Sequence, residues 1–178
     1  MSKSKKEYIL EKALDLFADR GYEATPTSLI AKEADVSEGL IFKHYSNKAN
    51  LLEEVIKAGY RRITDKSKGL AMEKDPQKLI NSVLDMPQRL VEEERNFWRM
   101  QFRLVDEEIA QKHHNRYTHS VMQKLVQAFK ELGYNDPEME SEVLMLLVEG
   151  LWRLFVTNGD EEHCRKMVAL IKSKYARQ

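Results

Sequence analysis

Apolar residues recur three and four positions apart along most of this chain, and nowhere do they alternate every second position over a strand length. That is the period of amphipathic helices. Ile9, Leu10, Ala13, Leu14, Phe17 and Ala18 form such a stripe and predict a first helix over about 5–20, with Gly21 as its left-handed stop. Thr25 reads as the N-cap of a second helix, with Pro26 at the first helical position, where a missing N–H costs nothing. Ile30, Ala31 and Ala34 give its inner face, and the small Ala31 lets a crossing helix approach closely. Residues 35–37 make a turn. Asp35 tolerates the left-handed conformation, Val36 fills the gap, and Ser37 caps a short third helix running to about 45 with Ile41 inward. A fourth helix follows residues 46–47 and runs to about 66.

Residues 68–76 form the joint to the rest of the chain. Beyond it the pattern predicts helices over 76–94, 96–110 and 116–132. Pro87 is expected to kink the first of these, and Gly133 stops the last. Asn135, Asp136 and Pro137 open a long apolar helix to about 157; a turn at 158–160 leads to a final helix ending near 175. No strand and no internal repeat is predicted. The expected fold is all-α, with a helix-turn-helix domain over 1–66 (the turn motif at about 26–45) and a second helical domain over 67–178.

Composition adds little to this and removes several classes. Among the 178 residues no run of about 18 apolar positions suggests a transmembrane helix. The basic start leads into an amphipathic helix rather than a signal peptide, and a lone Cys164 fits a reducing cytoplasm. Net charge is zero; residues 1–68 hold 13 Lys and Arg against 11 Asp and Glu. Bulk charge therefore identifies no polyanion partner, and the case rests on placement, with Lys3, Lys5, Lys6, Lys43 and Lys48 as candidate phosphate contacts. His113, His114, Asp106 and His119 lack an established metal-ligand spacing and read as a polar turn; no metal or cofactor is expected. Cys164 beside His163 is no nucleophile pair, because adjacent helical residues point apart. No phosphate-cradling loop or nucleophile elbow occurs, so no enzyme is expected.

The residues Ile9, Leu10, Ala13, Leu16, Phe17, Gly21, Tyr22, Thr25, Ile30, Ala31, Ala34, Val36, Ser37, Gly39, Ile41, Phe42, His44, Tyr45, Lys48, Leu51 and Leu52 together resemble the TetR family of bacterial transcriptional regulators. Capping, turn, core and exposed positions match in register over the first third of the chain. Three positions depart from the family pattern: Asp35 replaces the usual turn Gly, Phe42 the usual Tyr, and Tyr45 a common Phe. Phe42 thereby loses a hydroxyl that commonly reaches phosphate.

The resemblance implies a third helix in the DNA major groove, braced by the second. Thr25, Thr27 and Ser37 would donate hydroxyls to phosphate, and Lys43, His44 and Lys48 would hold the other side of the groove. Glu38, Gly39, Leu40 and Phe42 would face the bases. Glu38 either complements the helix dipole or accepts from a cytosine amino group, the dipole being favoured. So short a reading helix needs two copies, hence a homodimer on a palindromic operator. Along 143–155 the rows Val143, Leu147, Gly150, Leu154 and Leu144, Val148, Trp152, Phe155 lie on adjacent faces; one row needs a partner outside its own domain. With Cys164, Val168 and Ile171 the first row forms the expected dimer surface. Met86, Phe97, Trp98, Met100, Phe102, Tyr117 and Met122 are candidates for a pocket taking a small hydrophobic effector. Released from DNA by that ligand, the protein would act as a repressor in the cytoplasm, with no membrane partner; the alternatives are a DNA-binding regulator without an effector and a helical ligand carrier whose DNA head has lost function.

Overall fold

The computed structural model describes residues 4–157 and 160–176. Among these the chain forms nine helices and no strand: α1 (Lys5–Arg20), α2 (Thr27–Glu33), α3 (Glu38–Tyr45), α4 (Lys48–Lys66), α5 (Lys68–Met72), α6 (Pro76–Arg103), α7 (Glu108–Glu131), α8 (Pro137–Thr157) and α9 (Glu161–Tyr175). Lys3 and the centre of the expected turn at 158–160 lie outside the described residues. No described helix is long and apolar enough to cross a membrane.

The chain divides into two compact units, each discontinuous in sequence: residues 1–62 with 96–114, and residues 63–95 with 115–178. The first break falls near the expected joint. The inclusion of 96–114 with the N-terminal helices is a departure from a simple head-then-body order, and packing explains it. Gly59 of α4 faces Phe97 so closely that a Cβ there would lie 2.1 Å from the ring. Tyr60 meets Phe97 edge-on at 5.1 Å between centroids, and Asn96 Nδ2 donates to Asp15 Oδ1 at 2.9 Å. Arg99 pairs with Asp19 at 2.9 Å.

In the same unit α1 starts with a capping box: the Ser4 hydroxyl accepts from the Glu7 N–H while the Glu7 carboxylate accepts from the Ser4 N–H. Ile9, Ala13 and Phe17 of α1 are fully buried with Ile30 of α2 and Ile41 of α3. α2 ends in a Schellman turn. The Val36 N–H donates to the Ala31 carbonyl and the Asp35 N–H to the Lys32 carbonyl, with Asp35 at φ 51°. α7 ends in the same turn with Gly133 at φ 75°.

Three local expectations need correction. Pro87 sits inside α6 with helical backbone, and the non-helical residue is Glu94, at φ −134° and ψ 40°. Proline's missing N–H removes one bond to the preceding turn, and the flanking bonds carry the helix through. The segment expected as helix over 96–110 ends at Arg103. Residues 104–107 turn, and α7 begins at Glu108, so His113 and His114 are helical rather than a polar loop. They face inward: the Tyr60 hydroxyl and His114 Nδ1 are 3.2 Å apart, and His113 Nε2 lies 3.7 Å from Glu53.

In the second unit α8 and α9 pack together, burying Leu144, Val148, Trp152 and Phe155 of α8 and Cys164, Val168, Ile171 and Tyr175 of α9. Lys172 of α9 closes on Asp85 of α6 at 2.6 Å.

Candidate nucleic-acid interface

α3 is positioned by its two neighbours and by α1. Ile41 and Tyr45, four residues apart, are both buried, and the Tyr45 hydroxyl donates to the Lys6 carbonyl of α1 at 3.0 Å. Burial first, then the Glu54 carboxylate, pushes the Tyr45 phenol up to about 12. Ser37 caps the helix as expected, its hydroxyl accepting from the Leu40 N–H at 3.3 Å. Ser46 ends it at φ 66°, and the Asn47 side chain accepts from the Asn50 N–H to start α4.

With one side of α3 fixed in the core, the other is turned out. Ser37, Gly39, Phe42, Lys43 and His44 are exposed, and Glu38 and Leu40 are half-buried. Phe42 stands out: 44% of its surface remains accessible, and two exposed basic residues, Lys43 and His44, follow it. Lys48, at the start of α4, is half-buried. Its ammonium lies 4.2 Å over the Tyr22 ring and 3.4 Å from the Glu23 carbonyl oxygen, a cation–π geometry that holds the charge at the edge of the same face. Lys5, Lys32, Ser37 and Leu40 share an open concavity beside the turn.

The two threonines differ from expectation. Thr25 is fully buried, and its hydroxyl donates to the Gly21 carbonyl at 2.7 Å. It therefore neither caps α2 nor faces solvent; Pro26 holds the cap position without a side-chain bond. The hydroxyl is captured by the end of α1, whose last carbonyls lack helical partners. Thr27 is half-buried, and its hydroxyl donates to Glu38 Oε1 at 2.5 Å.

The residues expected around an effector divide between the two units. Phe97, Trp98, Met100 and Phe102 belong to the first; Phe97 and Met100 are fully buried and Trp98 nearly so. Phe97 and Trp98 meet edge-on at 5.4 Å in a cluster with Tyr60. Met86, Tyr117 and Met122 belong to the second, where the Tyr117 and Ser67 hydroxyls are 3.4 Å apart and burial raises the Tyr117 phenol. The expected dimer surface divides too. Val143, Leu147 and Gly150 are exposed and Leu154 half-buried, joined by Met139 and Leu146. Cys164, Val168 and Ile171 are instead closed inside their own unit, and the exposed apolar residue on α9 is Leu170. The first-row positions of α8 face out because the second row already fills the interior.

The residue most missed by sequence reasoning was Gly59. A lone glycine in a helix with no turn to make signals a close approach, and that signal was present.

Residues 9–55 match the family model described as bacterial regulatory proteins, tetR family. Over 130 residues the chain is 29% identical to the HTH-type transcriptional regulator YvkB of Bacillus subtilis, covering 70% of this chain and 66% of that protein. It is 35% identical over 54 residues to the HTH-type transcriptional repressor KstR2 of Mycolicibacterium smegmatis, covering 30% of this chain and 26% of that one. The chain thus spans just under two thirds of the length of one curated relative and about a quarter of the other. In fold the likeness runs the whole length. A TetR-like regulator of Rhodococcus sp. RHA1 superposes with a TM-score of 0.83 at 17% identity, over 97% of this chain and 94% of its own. A transcriptional regulator of Saccharomonospora viridis, solved in complex with choline, superposes with a TM-score of 0.77 at 19% identity, over 94% and 95%.

Proposed function

We infer that this chain, a member of the tetR family of bacterial regulatory proteins, is a dimeric, sequence-specific DNA-binding repressor, released from its operator by a small hydrophobic molecule. The observation that carries the reading is α3. Its Ile41 and Tyr45 are locked in the core, and its Gly39, Phe42, Lys43 and His44 are presented outward. An exposed apolar ring followed by two basic residues suits what a major groove offers, thymine methyls flanked by phosphates. Ser37 and Lys48 bound the contact surface.

Dimerisation is supported by α8, where Met139, Val143, Leu146, Leu147 and Gly150 form one exposed stripe. A Cβ at Gly150 would meet no atom within 4 Å, so the single chain makes no use of its smallness. A second copy of α8 approaching closely there would. A palindromic operator follows from such a two-fold pair. For a small-molecule effector of any kind the precedent is a structural neighbour, the Saccharomonospora viridis regulator solved in complex with choline. The effector's hydrophobic character is read from the aromatic and methionine side chains Phe97, Trp98, Met100 and Phe102 of the first unit. The ligand acts by favouring one spacing of the paired reading helices over another. The site of action is the cytoplasm.

The test is a mobility shift of the full chain on DNA flanking its own gene, between about 50 and 200 mM salt. The expected result is saturable, sequence-selective binding that weakens with salt. Lys43→Ala should lower the slope of log affinity against log salt by about one, the signature of one lost phosphate contact. Equal affinity for unrelated DNA, or no binding at low salt, would end the reading.

A further inference from the structure

We propose that the hydrogen bond between Thr27 and Glu38 is a specificity latch, aiming the free carboxylate oxygen of Glu38 at the N4 amino group of one cytosine in each operator half-site. The assignment rests on the DNA-reading function proposed above and names what one position of that site reads.

The geometry is local. Glu38 is the first residue of α3, following the cap Ser37, and Thr27 is the first residue of α2. The Thr27 hydroxyl donates to Glu38 Oε1 at 2.5 Å. Among the described residues the carboxylate has no cationic partner and no second hydrogen-bond donor, so Oε2 keeps its acceptor capacity. Its neighbours on either side, Ser37 and Gly39, are exposed. A Cβ at Gly39 would meet only the Ser37 hydroxyl, at 4.0 Å, so the residue that follows the half-buried Glu38 is open to an approaching surface.

A carboxylate on a DNA-reading face is costly unless it meets a donor. Phosphates offer none and repel it. In the major groove guanine shows two acceptors and thymine one; the adenine amino donor is flanked by acceptors on both sides, its own N7 and thymine O4, whereas the cytosine amino donor has an acceptor on one side only, the O6 of its paired guanine. Cytosine therefore satisfies Oε2 with fewer repulsive neighbours than adenine does. The dipole of α3 also favours a carboxylate at this end, but that preference needs no partner on another helix. Thr27 supplies what the dipole does not, a fixed orientation: its β-branched side chain is stiff, so less side-chain freedom is lost when the base arrives. The hydroxyl is spent on Glu38, which removes Thr27 from the expected phosphate contacts.

The experiment selects binding sites from a randomised duplex library with the full-length protein and with Glu38→Gln and Thr27→Val, each checked for an intact melting transition. Wild type should enrich a half-site with one cytosine preferred about tenfold over other bases. Glu38→Gln should move that one position to adenine, because an amide matches the donor–acceptor pair of adenine, and leave the others unchanged. Thr27→Val should keep cytosine but relax the preference severalfold. An identical base profile for wild type and Glu38→Gln, or an even loss across all sequences, overturns the cytosine assignment. Full discrimination in Thr27→Val overturns the latch. A wild-type protein that enriches no sequence overturns the DNA-reading function together with this assignment.

Discussion

α3 and α8 are both half-buried helices, and both leave large apolar side chains in solvent, yet the company those side chains keep is different. On α3 a single exposed apolar ring, Phe42, immediately precedes the exposed Lys43 and His44. On α8 four aliphatic or thioether side chains, Met139, Val143, Leu146 and Leu147, line up with Gly150 along one stripe. An isolated ring beside basic residues suits a charged, grooved partner that offers few apolar groups. A continuous stripe without interior charge suits another protein surface of the same kind. Exposure alone says little about a partner; the spacing and charge of the neighbours say more.

The comparison breaks most visibly on α8. Replacing Leu146 and Leu147 together by Glu should convert the proposed dimer to a monomer in light scattering. Operator affinity should fall about a hundredfold, since each reading helix then binds alone; coupling two sites is worth roughly that much or more. A double variant that stays dimeric would move the interface off α8. On α3, Phe42→Ala should weaken operator binding about tenfold, equivalent to about 1.4 kcal/mol, while the dimer persists. Unchanged affinity would demote the ring to a bystander.

The smallest effect concerns the brace of α3. Tyr45→Phe removes the bond to the Lys6 carbonyl and should cost about 1 kcal/mol of stability, read as a small drop in melting temperature. Its pH signature has a definite sign. Because the folded phenol titrates at about 12 against an ordinary 10.0, the folded state holds this proton more tightly. Its contribution is complete below pH 10 and is lost as pH rises toward 12. Melting curves of the Phe variant should be flatter across that window.

Much of this comparison was legible in the order of residues. The two rows on α8 separate cleanly because helical period alone puts Leu144, Val148, Trp152 and Phe155 on one face and Val143 and Leu147 on the next. Asp35 was readable as a left-handed residue, and its φ of 51° bears that out. What stayed hidden were choices between competing partners. The Thr25 hydroxyl had two acceptable uses, capping α2 or closing on Gly21, and only the path of the chain decides. The inward face of α9 was hidden likewise, because Cys164, Val168 and Ile171 are equally apolar whether a partner or their own unit covers them. The histidine pair looked like a loop because adjacent polar residues carry no period. Their neighbours Ala110 and Tyr117 carry one, at spacing that keeps the helix going.

The notch at Gly59 has a practical consequence for dividing the protein. A fragment ending at Lys66 would carry every residue of the helix-turn-helix yet lack residues 96–114, which belong to the same compact unit. It would leave a glycine-floored slot where Phe97 now sits, expose the flank of Tyr60, and strand Asp15 and Asp19 without Asn96 and Arg99. A chimera grafting this head onto a foreign body therefore has to carry over a matching aromatic and its flanking amide and guanidinium, not merely a sequence boundary.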